Sequence, residues 1–149
     1  MNADKPRSPM NADKPRSPIN ADKPRLDSIT ERIIGCCYTV ANTLGSGFLE
    51  KVHENALAYE LRQSGLLVEQ QKPAPVHYRG VLVGDYVADL LVETSVLVEL
   101  KAVKQLDETH LAQCLNYLRA TGLQVCLLIN FGRPKLEIKR VVQGFDDQR

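Results

Sequence analysis

Three ionisable residues stand inside two runs of the sequence that are otherwise as apolar as a protein core. Asp89 lies in the run Tyr86–Val92, and Glu99 and Lys101 lie in the run Ser95–Val103. Both runs are rich in the aliphatic residues that favour a buried β-strand. Because a buried charge is costly unless it is paired or used, the sequence predicts that these three side chains form a functional site.

The spacing of these residues predicts how the two strands pair. If residues 93–95 form a three-residue hairpin turn, Asp89 faces Glu99 across the ladder, and Lys101 lies on the same strand face as Glu99. Two carboxylates opposite each other repel, so this arrangement requires a positive charge between them. A hard divalent cation with oxygen ligands fits that position better than Lys101 alone, and the sequence therefore predicts a Mg²⁺ site.

A purely structural explanation of the same residues stays open. Asp89 and Lys101 can be edge or turn charges, and Glu99 can form an ordinary ion pair with Lys101. A register shift of one residue would also send Asp89 to the other face of the sheet. A metal titration distinguishes these interpretations.

The size and composition indicate one ordinary globular domain. The chain has 149 residues, of which 44% are hydrophobic, which is enough apolar material for one core. No stretch has the pattern of a signal peptide or the length of a membrane span, so we expect a cytoplasmic protein with no membrane partner. The four cysteines lack C-x-x-C spacing and are predicted to be reduced core thiols.

The N-terminus is a tandem repeat in which Asn2-Ala-Asp-Lys-Pro-Arg-Ser-Pro recurs from Asn11 and, in part, from Asn20. Each copy contains proline and lacks large apolar side chains, so residues 1–26 are predicted to be a disordered tail. With six basic and three acidic side chains the tail carries +3, so the net charge of +1 leaves about −2 for the rest. The tail is either a basic arm for a polyanion or an accidental duplication, and we favour the duplication. The near-neutral remainder lacks the basic surface of a tight, non-specific duplex binder.

Helical and strand periodicities predict an α/β domain over residues 27–145 with the order α-α-β-β-β-α-β-β. The first helix is predicted to begin at Ser28-Ile-Thr-Glu31, which has capping-box spacing. Pro73 and Pro75 indicate an edge or bulged strand. The aliphatic run Val125–Ile129 indicates a central strand reached by a right-handed crossover. The predicted helices are 28–44, 48–64 and 106–121, and the predicted strands are 67–78, 81–92, 96–103, 125–129 and 136–142.

A polar cluster on the second predicted helix is expected to point inward. Glu50, His53 and Glu54 continue the apolar stripe of Leu57 and Leu61 toward the start of the helix. A helix with such a face packs on a sheet, so these polar side chains are predicted to turn toward it.

Four sequence elements together resemble the PD-(D/E)XK phosphodiesterase fold. The first is the hairpin with Asp89, nine further residues and then Glu99-Leu-Lys101. Gln113-Cys-Leu-Asn-Tyr117 resembles the Q-x-x-x-Y element of exonuclease-like branches, and Ile129-Asn-Phe-Gly132 resembles the end of the last core strand. Gly47-Phe-Leu-Glu-Lys-Val-His53 resembles the G-x-x-E-x-x-Y (GxxExxY) signature of one branch, with His53 in place of its tyrosine. The resemblance implies a restriction-endonuclease-like core, in which a mixed β-sheet is flanked by helices.

The resemblance implies a role for each acid and for the lysine. Asp89 and Glu99 would bind the metal, with the Leu100 carbonyl as a further ligand. Lys101 would orient or deprotonate the attacking water, or offset charge in the transition state. Glu50 would reach a metal-bound water or a second ion, unless it is only a first-turn acid favoured by the helix dipole.

Three further residues would support the site. His53 can donate a hydrogen bond from its ring, as the signature tyrosine can, and it can also titrate near neutrality. Gln113 and Tyr117, one helical turn apart, would contact phosphate or brace the metal ligands. Ordinary polar packing is the alternative for this pair.

Two functions follow from the resemblance. The first is a Mg²⁺- or Mn²⁺-dependent nuclease, a hydrolase that cleaves phosphodiester bonds in DNA. The second is a catalytically inactive module that keeps the nuclease fold to bind nucleic acid or protein, which the near-neutral core, the small size and His53 favour. Many small enzymes of this fold are dimers, so a homodimer is compatible with either function.

Overall fold

The structure is a computed structural model that describes residues 18–144, with side chains described from Asp22 onward. Within these residues the chain forms helices and strands in the predicted order. They are helices α1 (Pro18–Leu44), α2 (Glu50–Gln63) and α3 (Glu108–Thr121), and strands β1 (Val68–Tyr78), β2 (Val81–Val92), β3 (Val96–Lys101), β4 (Val125–Asn130) and β5 (Glu137–Val142). None of the described helices combines the length and the apolar character needed to cross a membrane.

The strands form one mixed sheet in the order β1-β2-β3-β4-β5. β3 and β4 are parallel, and the other neighbouring strands are antiparallel. Every residue of β4 is buried, as its continuous aliphatic run requires. β1 is an edge strand with an irregularity between Val76 and His77, which explains why it tolerates Pro73 and Pro75. The predicted mixed sheet flanked by helices is therefore confirmed.

Helices cover both faces of the sheet. α1 and α2 pack on one face, where Ile33 and Leu61 share a core cluster with Val98. α3 packs on the other face, where Leu118 shares a second cluster with Leu97. Neighbouring residues of β3 thus belong to opposite clusters, because successive side chains of a strand point to opposite faces.

The start of α1 differs from the prediction. α1 begins at Pro18, so the capping box predicted at Ser28 is wrong. The third repeat copy, Asn20–Arg25, is helical and is not part of a disordered tail. Residues 1–17, which make up most of the predicted tail of residues 1–26, lie outside the described residues.

Tertiary contacts explain why α1 extends into the repeat. Leu26 is buried in the core cluster that α1 shares with α2 and the sheet. Asp27 accepts a hydrogen bond from Lys23, one turn earlier, at 3.0 Å and another from Arg140 on β5 at 2.7 Å. These contacts stabilise the turn beside Pro24, where a helix otherwise loses a backbone hydrogen bond.

Capping fixes both ends of α3. The Asp107 carboxylate accepts a hydrogen bond from the His110 N–H at 3.1 Å, and the Asp107 N–H donates to His110 Nδ1 at 3.0 Å. Gly122 ends the helix with a left-handed φ of 76°. His110 therefore has a structural role, and α3 is held in place as a support for the sheet.

The hairpin of β1 and β2 extends well beyond its neighbour β3. β1 pairs with β2 over Val68–Tyr78, whereas β2 pairs with β3 only over Leu90–Val92. The distal part of the hairpin is a two-stranded arm with exposed apolar side chains such as Tyr78 and Val81. β2 and β3 stop pairing beyond Leu90 and Val98, and the candidate site residues lie at this fork.

Candidate active site

The hairpin of β2 and β3 has the predicted register. Residues 93–95 connect the strands, as predicted from the sequence. The ladder ends at Leu90 and Val98, and Asp89 and Glu99 are the next residues beyond it. The paired residues are Leu90 with Val98, Leu91 with Leu97, and Val92 with Val96.

Side-chain hydrogen bonds replace the ladder beyond this point. The Leu100 N–H donates to Asp89 Oδ2 at 2.8 Å, and the Asp89 N–H donates to Glu99 Oε1 at 3.3 Å. Each carboxylate is therefore bonded to the backbone of the opposite strand. The two acids are held side by side at the fork.

Burial raises the pKa of both carboxyl groups above their ordinary values. Glu99 is 5% exposed, and burial together with the negative charge of Asp89 raises the pKa of Glu99 to about 8. Burial also raises the pKa of Asp89, and the charge of Glu54 adds to this effect, while the bond from the Leu100 N–H opposes it. A cation placed between two such acids would stabilise their charged forms.

α3 brings Gln113 and Tyr117 to the carboxylate pair. Gln113 Nε2 donates to Tyr117 Oη at 3.0 Å, and the Tyr117 hydroxyl donates to Glu99 Oε2 at 3.3 Å. The Tyr117 ring is buried and packs edge-on against Tyr86 of the arm, with 5.6 Å between ring centroids. Burial and the neighbouring charge of Glu99 raise the pKa of Tyr117, so its phenol remains a hydrogen-bond donor.

Lys101 and Glu50 lie beside the pair without bonding to it. The positive charge of Lys101 is close enough to lower the pKa of Glu99 against the effect of burial. Lys101 nevertheless forms no ion pair with any side chain among residues 22–144, so the alternative of a Glu99–Lys101 ion pair is not realised. Glu50 Oε2 accepts a hydrogen bond from the Ala102 N–H at 3.2 Å. Glu50 thus points to the end of β3, and its charge contributes to the raised pKa of Asp89.

Two residues with no assigned role in the sequence, Glu54 and Gln71, adjoin Asp89. Gln71 Nε2 donates to Asp89 Oδ1 at 3.3 Å and to Glu54 Oε1 at 2.9 Å. Glu54 is 4% exposed and also accepts hydrogen bonds from Lys51 and Gln70. The helical stripe predicts that Glu54 turns inward, but its link to Asp89 depends on how α2 packs across β1.

The end of β4 holds the segment that follows Lys101. Asn130 is fully buried, and its side chain accepts from the Val103 N–H at 3.0 Å and donates to the Val103 carbonyl at 2.9 Å. The Phe131 N–H donates to the Lys101 carbonyl at 2.9 Å. A Cβ at Gly132 would overlap the Val103 backbone, so only glycine fits there. The Ile129–Gly132 motif therefore continues the contact between the two strands and fixes the backbone after Lys101.

A protein-family model described as the PD-(D/E)XK nuclease superfamily matches residues 27–141, most of the chain. The chain belongs to the PD-(D/E)XK nuclease superfamily. The superfamily predicted from Asp89, Glu99 and Lys101 is thus confirmed.

Structural comparison finds an alkaline exonuclease from Laribacter hongkongensis, with a TM-score of 0.47 and 16% sequence identity. The similarity covers 62% of this PD-(D/E)XK chain and 55% of the exonuclease, so the chain spans about half the length of that protein. No curated protein matches the sequence.

The donor atoms of this PD-(D/E)XK site fit a hard divalent cation. Asp89 and Glu99 supply carboxylate oxygens, which Mg²⁺ and Mn²⁺ prefer. The Leu100 N–H points to Asp89, and the carbonyl of a strand residue points to the same side as its N–H. The Leu100 carbonyl is therefore directed to the same fork.

The carboxylates of Asp89, Glu99 and Glu50 do not converge on one position that a metal ion could occupy. Residues 22–144 contain no group of three or more acidic, histidine or cysteine side chains positioned to hold a metal ion. Asp89, Glu99 and Glu50 each accept a backbone N–H instead. Cation binding would require some of these hydrogen bonds to be exchanged for metal contacts.

His53, expected to support the site through its ring, packs as an aromatic core residue. Its ring is fully buried and stacks on Phe131, with 4.5 Å between ring centroids, and lies edge-on to Phe48. Neither ring nitrogen has a hydrogen-bond partner among the described residues. Burial lowers the pKa of His53, which keeps the ring neutral. The structure therefore brings together the other predicted site residues and does not bond His53 to them.

Proposed function

We propose that this chain is a divalent-metal-dependent nuclease that hydrolyses phosphodiester bonds in DNA, with Mg²⁺ or Mn²⁺ as its cofactor. The observation that carries the proposal is the Asp89–Glu99 pair at the fork, with Lys101 two residues further along β3. Membership of the superfamily supports the reaction class. Within the superfamily, the segment from Gly47 to His53 supports the G-x-x-E-x-x-Y branch.

Asp89, Glu99 and the Leu100 carbonyl would hold the cation. When bound, the cation supplies electrostatic stabilisation of the charge that develops on the phosphate oxygens. The Tyr117 hydroxyl, itself bonded by Gln113, holds one oxygen of Glu99 and so fixes the direction of that carboxylate.

Lys101 and Glu50 would act on the attacking water and the phosphate. Lys101 has no ion pair within residues 22–144. As an ammonium it can orient the water or offset charge in the transition state, and as a neutral amine it can deprotonate the water. Glu50 reaches the same end of β3 from the first turn of α2, where its carboxylate can accept a hydrogen bond from a water molecule.

The test is cleavage of linear DNA, supercoiled DNA and RNA by the purified chain with Mg²⁺, with Mn²⁺ or with EDTA. We expect cleavage of DNA only with a divalent ion, and a loss of about a hundredfold or more in Asp89→Asn, Glu99→Gln and Lys101→Met. Asp85→Asn is the matched control, because Asp85 is an exposed acid on the same strand as Asp89. Full cleavage by folded Asp89→Asn would show the nuclease proposal to be wrong.

A second candidate function is a catalytically inactive PD-(D/E)XK module that binds nucleic acid or protein. The observation that favours it is that Asp89, Glu99 and Glu50 accept backbone hydrogen bonds, which is a structural use of acids. In that case Asp89→Asn lowers the melting temperature, and Mg²⁺ does not raise the melting temperature of the wild type. A rise with Mg²⁺ that Glu99→Gln abolishes supports the nuclease.

The homodimer and the cytoplasmic location remain predictions from the sequence. Sedimentation of the purified chain at several concentrations tests the dimer. Fractionation of cells that express the tagged chain tests the location.

A further inference from the structure

Gln71 has a backbone conformation that is unusual inside a strand. Its φ is 56°, in the left-handed region that side chains other than those of glycine and asparagine rarely adopt. In the described part of the chain, the other non-glycine residues with positive φ, Arg79, Glu93 and Thr94, lie in the connections between strands. Gln71 instead lies within β1, so its conformation needs a local cause.

The strained residue lies opposite Asp89. Gln70 pairs with Leu90 and Lys72 pairs with Ala88 in one continuous register, but Gln71 and Asp89, which lie between these pairs, are not themselves paired. The ladder between β1 and β2 is thus interrupted at Asp89, the first residue beyond the end of the ladder between β2 and β3. Asp89 therefore forms no regular strand pair with either β1 or β3.

The side of the sheet to which alternate side chains of β2 point also changes at Asp89. Leu90 packs in the cluster of α1 and α2, whereas Leu91 packs in the cluster of α3. Strict alternation would place Ala88 with Leu90, but Ala88 packs in the cluster of α3. The left-handed turn at Gln71 therefore accompanies a twist of the hairpin, and Asp89 is the residue at the twist.

The Gln71 amide then holds Asp89 in place. Its Nε2 donates to Asp89 Oδ1 at 3.3 Å, while Asp89 Oδ2 accepts from the Leu100 N–H at 2.8 Å. One carboxylate is thus fixed from both neighbouring strands. The same Nε2 donates to Glu54 Oε1 at 2.9 Å, so a neutral donor bridges two acids that would otherwise repel each other.

We propose that Gln71 is a positioning residue for the metal-binding carboxylate of Asp89, an assignment that rests on the nuclease function proposed above. Its strained backbone directs the amide to the fork, and the amide fixes Asp89 relative to Leu100 on β3 and to Glu54 on α2. Gln71 acts through Asp89, because its amide nitrogen donates to the two acids.

The test compares Gln71→Gly and Gln71→Asn with Gln70→Ala. Glycine and asparagine both tolerate a positive φ, but neither can bridge Asp89 and Glu54, since glycine has no amide and the asparagine side chain is one methylene shorter. Gln70→Ala is the matched control, because Gln70 donates to Glu54 at 2.8 Å and to Asn55 at 2.9 Å and does not bond to Asp89.

The first measurement is hydrogen exchange of the Leu100 amide by NMR in metal-free protein. We expect exchange roughly fivefold faster in both Gln71 variants at an unchanged or higher melting temperature, and wild-type exchange in Gln70→Ala. The proposal would be overturned if the Leu100 amide exchanged at the wild-type rate in the Gln71 variants. It would also be overturned if Gln70→Ala accelerated this exchange as much as the Gln71 variants do.

The second measurement is Mn²⁺ affinity by calorimetry. We expect a loss of about tenfold in both Gln71 variants and wild-type affinity in Gln70→Ala. Unchanged affinity in the Gln71 variants overturns the positioning role. If the wild type binds no Mn²⁺, the proposed nuclease function fails, and the exchange of Leu100 still decides whether Gln71 holds Asp89.

Discussion

The N–H of Asp89 donates to Glu99 Oε1 at 3.3 Å, at the first position beyond the last pair of the β2–β3 ladder. Two carboxylates directly opposite each other destabilise a regular ladder. Here the strands separate where the acids meet, and backbone N–H groups satisfy part of their negative charge. The same separation leaves both carboxylates outside the β2–β3 ladder.

Replacing Glu99 with glutamine should change how the stability of the metal-free protein depends on pH. Burial and the charge of Asp89 raise the pKa of Glu99 from 4.5 to about 8, so the folded state binds its proton more tightly than the unfolded state does. The stability that this proton contributes is present below pH 4.5 and is lost as the pH rises from 4.5 to about 8. The loss is about 1.4 kcal/mol for each unit by which the pKa differs between the folded and the unfolded state. Glu99→Gln keeps the shape and cannot ionise, so its stability should not fall in the same way.

Urea unfolding of both proteins in EDTA, from the acidic to the alkaline end of this range, measures the difference. The wild type should lose free energy of unfolding relative to Glu99→Gln as the pH rises. Parallel pH profiles would contradict the raised pKa of Glu99.

Removing the hydroxyl of Tyr117 should weaken metal binding without unfolding the protein. Tyr117→Phe keeps the buried ring and deletes the donor to Glu99 Oε2. We expect a loss of about tenfold in Mn²⁺ affinity, measured by calorimetry. Tyr86→Phe is the control, because the Tyr86 ring packs against Tyr117 but is not bonded to Glu99. An equal loss in both variants would assign the effect to packing.

Replacing His53 with phenylalanine should stabilise the protein and leave nuclease activity intact. Both ring nitrogens are buried without partners among the described residues, and phenylalanine can keep the stack on Phe131. We expect the free energy of unfolding to rise by about 1 kcal/mol, since residue 53 then buries no unpaired polar atom.

The pH dependence gives a second check on His53. Because burial lowers its pKa below 6.5, the unfolded state binds a proton more readily, and the wild type loses stability as the pH falls below that value. His53→Phe should lose less over the same range. A folded His53→Phe protein without DNA cleavage would instead give His53 a role in the reaction.

A methyl group at position 132 should destabilise the end of β4 and disturb Lys101. The Cβ of Gly132→Ala would overlap the Val103 backbone, which Asn130 holds in place. We expect a loss of about 1–3 kcal/mol in unfolding free energy, together with reduced cleavage of DNA. Gly35→Ala is the matched control in α1, where a Cβ meets no atom, and it should stabilise the helix by about 0.5–1 kcal/mol. Thermal unfolding of both variants measures the difference. Equal stability of Gly132→Ala and Gly35→Ala would contradict the predicted overlap at position 132.

Local sequence patterns were sufficient for the sheet and for the central pair of acids. The run of apolar residues around Asp89 and Glu99 marks two buried strands, and the short connection at residues 93–95 leaves one register in which both strands bury their apolar faces. Helical spacing likewise places Gln113 and Tyr117 on one face of α3. These features follow from periodicities of a few residues, which the sequence displays directly.

Contacts between distant segments decided the rest. α1 extends N-terminally into the repeat because Leu26 packs in the core and Asp27 accepts a hydrogen bond from Arg140. Local helix propensity does not indicate either contact.

The surroundings of the acids were likewise decided by tertiary structure. The bridge that Gln71 makes from Glu54 to Asp89 exists only because α2 lies across the hairpin, and His53 is a core ring because Phe131 lies against it. The sequence by itself determined which acids meet. The tertiary structure decided which side chains hold them, because those contacts depend on how the elements pack and not on the spacing within any one of them.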